Sequence, residues 1–212
     1  MNRDSHSADH PVPKLRDRIR GVTHDTILAA AEEVFADEGL HEARMESIAA
    51  RAGVAVGTLY NHFKDREALS SALVRARHEE LVLRMDQALS QEAGKPFRQQ
   101  LTRFFQALLE HFFAHRRFLS IFMQCEHRKS VHGPVGAPSE VMREVYARAE
   151  RLVKAGLKEK ALRPNGSELF PAYCISVVRA VLVREFLYEP TEMPIAQLAE
   201  QMVTFYLDGA GA

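Results

Sequence analysis

Apolar positions recur every three or four residues along most of the chain, and nowhere do they alternate with a period of two. That spacing predicts helices with one buried face. Ile27, Leu28, Ala31, Val34 and Phe35 mark a first helix, with Thr23 as its expected cap and Gly39 as its stop. A second runs through Met45, Ile48, Ala49 and Ala52 to a break at Gly53, and a short third carries Leu59, Tyr60 and Phe63. Asp65 is placed to cap a long fourth helix from Arg66 to about Ala88. Phe97, Leu101, Phe104, Phe105, Leu108, Leu109, Phe112 and Phe113 then form one wide apolar face, which Phe118 to Cys125 continues. A loop is expected from His127 to Pro138, followed by a helix capped by Ser139 that ends before Pro164. Two last helices, about Ser167 to Tyr188 and Pro194 to Leu207, complete an all-α fold class.

Composition narrows the function classes. With 46% apolar residues, the 212-residue chain can bury a core, so low-hydrophobicity disorder is excluded for most of it. Lys and Arg balance Asp and Glu at 28 each, so any bound polyanion must be met by locally placed charge. Cys125 and Cys174, far apart, make neither a disulfide framework nor a four-ligand zinc site, which fits a reducing cytoplasm. The N-terminus lacks a signal-like apolar stretch, and no window reaches about 18 uninterrupted apolar residues, so a soluble cytoplasmic protein is expected. The first 22 residues are polar, contain Pro11, Pro13 and Gly21, and suggest a basic flexible arm. Its Lys14, Arg16, Arg18 and Arg20 suit either a solvated tail or contacts with phosphates or a minor groove.

The most informative segment is MESIAARAGVAVGTLYNHFKDREAL, residues 45–69. A helix-turn-helix needs a supporting helix, a tight turn and a second helix whose outer face enters a DNA major groove. Ala49 allows two helices to approach, Gly53 permits a left-handed turn, and Val54, Leu59 and Phe63 supply the inner contacts. Val56, Gly57, Thr58, Tyr60, Asn61, His62 and Lys64 remain outside. Thr58, Tyr60, His62 and Lys64 can donate to phosphate oxygens, Asn61 can pair with an adenine edge, and Val56 can touch a thymine methyl. Gly57 lets the helix backbone come close.

Together, ILAAAEEVFADEGL and the segment above resemble the N-terminal domain of the tetracycline-repressor (TetR) family of bacterial regulators, over roughly residues 23–70. The resemblance implies phosphate contacts from Thr58, Tyr60, His62, Lys64 and Arg66, with Val56, Gly57 and Asn61 near bases. Where that family commonly has a Thr pair before the second helix, this chain has Ala43 and Arg44, and Arg44 can meet a phosphate with a full charge. The implied organisation is an arm at 1–22, a helix-turn-helix DNA-binding domain at 23–66 and a larger helical ligand-binding and dimerisation domain at 67–212. The function it implies is a homodimeric repressor released from a near-palindromic operator by a small molecule.

The segment LFPAYCISVVRAVLVREFLY is apolar almost all round, so burial against its own core and against a twin subunit is expected. Val178, Val181, Leu182, Met202, Phe205 and Tyr206 are the expected dimer contacts. Phe105, Phe112, Phe122 and Met123, with Tyr173 and Cys174 facing them, are the expected lining of a cavity for an apolar or aromatic molecule. The same stripe also reads as plain core. His111 and His115 stand at i, i+4 with Cys125 and His127 nearby in sequence, but no carboxylate accompanies them at a known spacing, so no metal is expected. No cofactor motif occurs. Without a Gly-rich phosphate loop, a GxSxG elbow or an HExxH, an enzyme is not expected. The alternatives are an enzyme or a helical protein-interaction module that uses the same fold without sequence-specific DNA binding.

Overall fold

A computed structural model describes residues 15–119, 121, 140–164, 167–188 and 190–210 of the chain. Every helix or strand element among them is helical: α1 (Leu15–Glu38), α2 (Met45–Ala52), α3 (Val56–His62), α4 (Arg66–Gln91), α5 (Phe97–Ala114), α6 (Glu140–Lys158), α7 (Phe170–Leu187) and α8 (Ile195–Ala210), with a 3-10 turn at Ser167–Leu169. The all-α expectation holds. None of the described helices is long and apolar enough to cross a membrane. The chain divides into two compact units, Met1–Ser70 and Ser71–Ala212, and the boundary falls inside α4.

In the first unit, α1 begins at Leu15, well before Thr23, so Thr23 is an interior helical residue and residues 15–22 are not a flexible arm. The reason is local. After Pro13 the segment LRDRIRGV has good helix formers and one Gly, whose penalty of about 1 kcal/mol is too small to stop a helix anchored by the stripe that follows. Residues 1–14, the rest of the expected arm, lie outside the described residues. Ile27, Ala31, Val34 and Phe35 of α1, Ile48 and Ala49 of α2 and Leu59 of α3 are all almost fully buried, with α2 packed on both α1 and α3. Gly39, at φ +89°, ends α1 as the pattern predicts.

The second unit is built around α5. Phe97, Leu101, Phe104, Phe105 and Leu109 are almost completely buried, each such side chain contributing about 1.5–3 kcal/mol. The most extensive packing is between α5 and α8, where the Phe105 and Tyr206 rings meet edge to face at 6.2 Å. The Tyr206 hydroxyl donates to the Phe170 carbonyl at 3.0 Å. On α6, Arg148 is buried, donates to Asp86 of α4 through Nε at 3.0 Å and pairs with Glu144. The first turn of α5 has no side-chain cap of its own. Glu159, just past α6, instead accepts the Phe97 N–H at 2.8 Å. Gly156 makes that approach possible: a Cβ there would stand 2.8 Å from the Phe97 ring and 2.9 Å from Leu162. His111 is also fully buried, and burial holds its ring near pKa 4, neutral at physiological pH.

Candidate nucleic-acid interface

The turn between α2 and α3 is fixed by backbone geometry. Gly53 adopts φ +67°, ψ 28°, its N–H donates to Ala50 O at 3.2 Å, and the Val54 N–H donates to Ala49 O at 3.0 Å. That pair of bonds is a Schellman motif, which needs glycine in the left-handed position. Ala55 then caps α3 with extended backbone and accepts from the Thr58 and Leu59 N–H groups. Within the seven residues of α3 only Leu59 is buried, and Phe63 beyond it is 5% exposed. These two apolar anchors orient the short helix and leave its opposite side to solvent. Asp65 caps α4 as the sequence suggests, its Oδ1 accepting the Ala68 N–H at 2.7 Å.

The structure leaves most of the expected DNA-binding residues exposed. Val56, Gly57, Tyr60 and Asn61 are exposed on α3, Lys64 is exposed just after it, and Thr58 is half-buried. Arg44 is exposed at the cap of α2, and its side chain makes no capping bond. The absent Thr hydroxyl is therefore not replaced in its capping role. A Cβ at Gly57 would meet nothing within 4 Å, and Gly57 has no positive φ. The fold of this unit does not require glycine at that position.

Two expected residues are engaged within the unit. Arg66 is half-buried, and its Nη1 donates to the carbonyls of His41 and Ala43, tying the α1–α2 loop to the start of α4. His62 lies with its ring 6.2 Å from those of His24 and Phe63. Partial burial, then the positive charge of Arg20 and the neighbouring His24, lower its pKa. Arg20 was expected only as part of the basic arm, and Arg51 was not among the expected site residues. Arg20 is exposed on α1 and electrostatically coupled to His62, whereas Arg51 pairs with Glu33 at 2.7 Å. The early start of α1, invisible in the apolar period, puts Arg20 on a helix instead of in an arm.

The expected pocket and dimer residues fare differently. Phe105 and Phe112 are buried, as is Cys174, whose thiol burial pushes well above its ordinary value. Tyr173 is 52% exposed, whereas its chain neighbour Cys174 faces the core. Phe122 and Met123 lie outside the described residues. An open groove of about 500 Å³ is lined instead by Leu89, Gly94, Gln100, Arg151, Leu152 and Lys158 among others. Of the six expected dimer residues, Val178, Leu182, Met202 and Tyr206 are buried in the chain's own core, Val181 is half-buried, and only Phe205 is free, 73% exposed. A helix apolar all round does not reveal its inner stripe. Here Cys174, Val178 and Leu182 face inward, and Tyr173, Ser176 and Ala180 outward, with Val177 half-buried between them.

Residues 27–73 match the family model of bacterial regulatory proteins, tetR family. The fatty acid metabolism regulator protein of Bacillus subtilis is 36% identical over 67 residues, covering 32% of this chain and 34% of its own. The transcriptional activator FasR of Mycolicibacterium smegmatis is 43% identical over 74 residues, covering 35% and 32% respectively. The chain thus spans about a third of the length of these curated relatives. The fold as a whole is similar to that of the fatty acid degradation regulator FadR from Bacillus halodurans, with a TM-score of 0.73 at 23% identity, over 88% of this chain and 95% of that one.

Proposed function

From the match of residues 27–73 to the tetR-family model and a fold similar to that of the TetR-family regulator PfmR of Thermus thermophilus, we propose a ligand-responsive, DNA-binding transcriptional regulator, acting in the cytoplasm as a homodimeric repressor. The observation that carries this reading is the exposure of Arg44, Val56, Gly57, Tyr60, Asn61 and Lys64, around a turn and anchors that use none of those side chains. Arg44, Tyr60, Lys64 and the half-buried Thr58 and His62 position the unit on phosphates, while Val56 and Asn61 reach base edges past Gly57. Arg66 acts from behind, by holding the loop that presents Arg44.

Dimerisation uses the outward side of α7, Tyr173, Ser176 and Ala180 with the half-buried Val177 beside them, together with Phe205 of α8. This largely apolar surface is the kind that two copies cover by symmetry. Two copies present two recognition helices to half-sites about one DNA turn apart. A small apolar molecule held by the Phe-rich second unit favours a conformer that no longer matches that spacing, and α4, which continues from one unit into the other, carries the coupling. Fatty-acyl compounds are the first class to test, since two similar proteins are named for fatty acid metabolism or degradation.

A nuclease footprint of the purified protein on DNA upstream of its own gene tests the reading. Protection of a near-palindrome, relieved by an acyl ligand, is expected. Binding no tighter to that DNA than to random sequence, at any salt concentration, overturns it.

A further inference from the structure

Glu80 of α4 and His111 and His115 of α5 converge in the second unit, with one ligand-capable atom from each within 4.8 Å of the others. The i, i+4 spacing puts the two imidazoles on one face of α5, with ring centroids 5.0 Å apart. His115 Nε2 lies 3.0 Å from Glu80 Oε2. His111 is fully buried and packs edge-on against Phe112, and neither of its ring nitrogens has a hydrogen-bond partner among the described residues. Buried polar atoms are almost always satisfied, so an imidazole left bare beside a second imidazole and a carboxylate calls for something that accepts its lone pair.

We propose that Glu80, His111 and His115 form a site for a divalent transition metal of the zinc class, with two imidazole nitrogens and one carboxylate oxygen as ligands and a fourth position open. Two His and one carboxylate are a recurring donor set of zinc sites that keep an open position. The carboxylate is oriented for this: Arg84 holds Oε1 through Nε at 3.2 Å and Nη2 at 2.9 Å, leaving Oε2 on the side of His115. Arg77 Nη1 shares Oε2 at 3.3 Å and yields it to the ion. Ligand bonds of about 2.0–2.1 Å require the three side chains to close in, a movement of the half-buried Glu80 and His115 more than of His111. Arg77 and Arg84 also set the selectivity. Their positive charges repel a hard cation held by charge alone, such as Mg²⁺ or Ca²⁺, and leave the site to ions that bind imidazole covalently. The same charges favour an anionic group at the open position. The site goes beyond the regulator reading and stands or falls without it.

The test uses the full chain, stripped with a chelator and titrated calorimetrically with ZnCl₂, and in parallel with CoCl₂ followed by its visible absorption. One ion per chain is expected, with Co²⁺ bands of a low-coordinate nitrogen and oxygen site and no competition from excess MgCl₂. Glu80→Gln and His115→Ala change half-buried positions, and each is expected to weaken Zn²⁺ binding at least tenfold while a cooperative melting transition is retained. Absence of Zn²⁺ and Co²⁺ binding by the wild-type chain overturns the proposal, as does unchanged affinity and stoichiometry in both folded variants.

Discussion

Arg51 Nη1 of α2 lies 2.7 Å from Glu33 Oε2 of α1, with Asp37 Oδ2 at 3.7 Å on the same guanidinium. The acidic flank of α1 therefore neutralises one of the few basic residues in the helix-turn-helix, and among the side chains described in this unit the exposed basic groups left for a polyanion are Arg20, Arg44 and Lys64. Arg44→Gln and Lys64→Gln, each removing one phosphate contact per subunit and two per dimer, should each flatten the dependence of log affinity on log salt by about 1.8. Arg51→Gln should leave that slope unchanged. DNA affinity measured across a salt series decides, and a slope that falls as much for Arg51→Gln as for the other two would place Arg51 on the DNA.

Gly57 and Gly156 make opposite predictions for the same substitution. Gly57→Ala enters open space within a helix and should stabilise the fold by about 0.5–1 kcal/mol while weakening DNA binding. Gly156→Ala drives a methyl group into the Phe97 ring and Leu162 and should destabilise by about 1–3 kcal/mol. Denaturant unfolding with operator binding on the same samples checks both, and an unweakened Gly57→Ala protein contradicts the close approach assigned to α3.

Arg66→Ala leaves the carbonyls of His41 and Ala43 without their donor and should cost about 1–2 kcal/mol. DNA binding should fall through the loosened α1–α2 loop, with less change in salt slope than Lys64→Gln produces. A variant of wild-type stability would show that the loop does not depend on this guanidinium.

Hydrogen bonds from Arg148 hold the Asp86 carboxyl below the ordinary aspartate range, against a smaller upward push from burial and with added help from Arg151. Because the folded-state pKa is the lower one, the stabilisation is complete above the ordinary aspartate value and is lost as pH falls through the depressed one. Asp86→Asn should cost about 1–3 kcal/mol at neutral pH and flatten the acid limb of the stability curve. Parallel acid limbs for variant and wild type would contradict this assignment.

Tyr173→Asp and Phe205→Asp should convert a dimer to monomers in sedimentation experiments while changing monomer stability by no more than about 0.5 kcal/mol, because both side chains are exposed. Val178→Asp, one position from Val177 along α7 but facing the core, should unfold the chain instead. Dimers that persist in both exposed-site variants would move the interface elsewhere.

How far the sequence foretold these features depends on whether the signal was local. The α2–turn–α3 unit was legible because Gly53, Leu59 and Phe63 each report a condition met within a few residues. The start of α1 was not, since Leu15 and Ile19 sit in a polar stretch whose helicity is extended from the stripe that follows. Which side of α7 faces inward was illegible because the helix is apolar almost all round, and only packing against α5, α6 and α8 separates Val178 from Val177. Glu80 was invisible as a partner of His111 and His115 because it arrives on a different helix, more than thirty residues earlier in the chain.

The turn at Gly53 and Val54 is closed by main-chain bonds alone, and α3 is seated by Leu59 and Phe63. Val56, Tyr60 and Asn61 are consequently released from any duty to stability, so they can drift or be randomised without unfolding the scaffold. A library at these three positions should yield mostly folded proteins with altered operator preference, and duplicated genes of this kind can acquire new target promoters one exposed residue at a time.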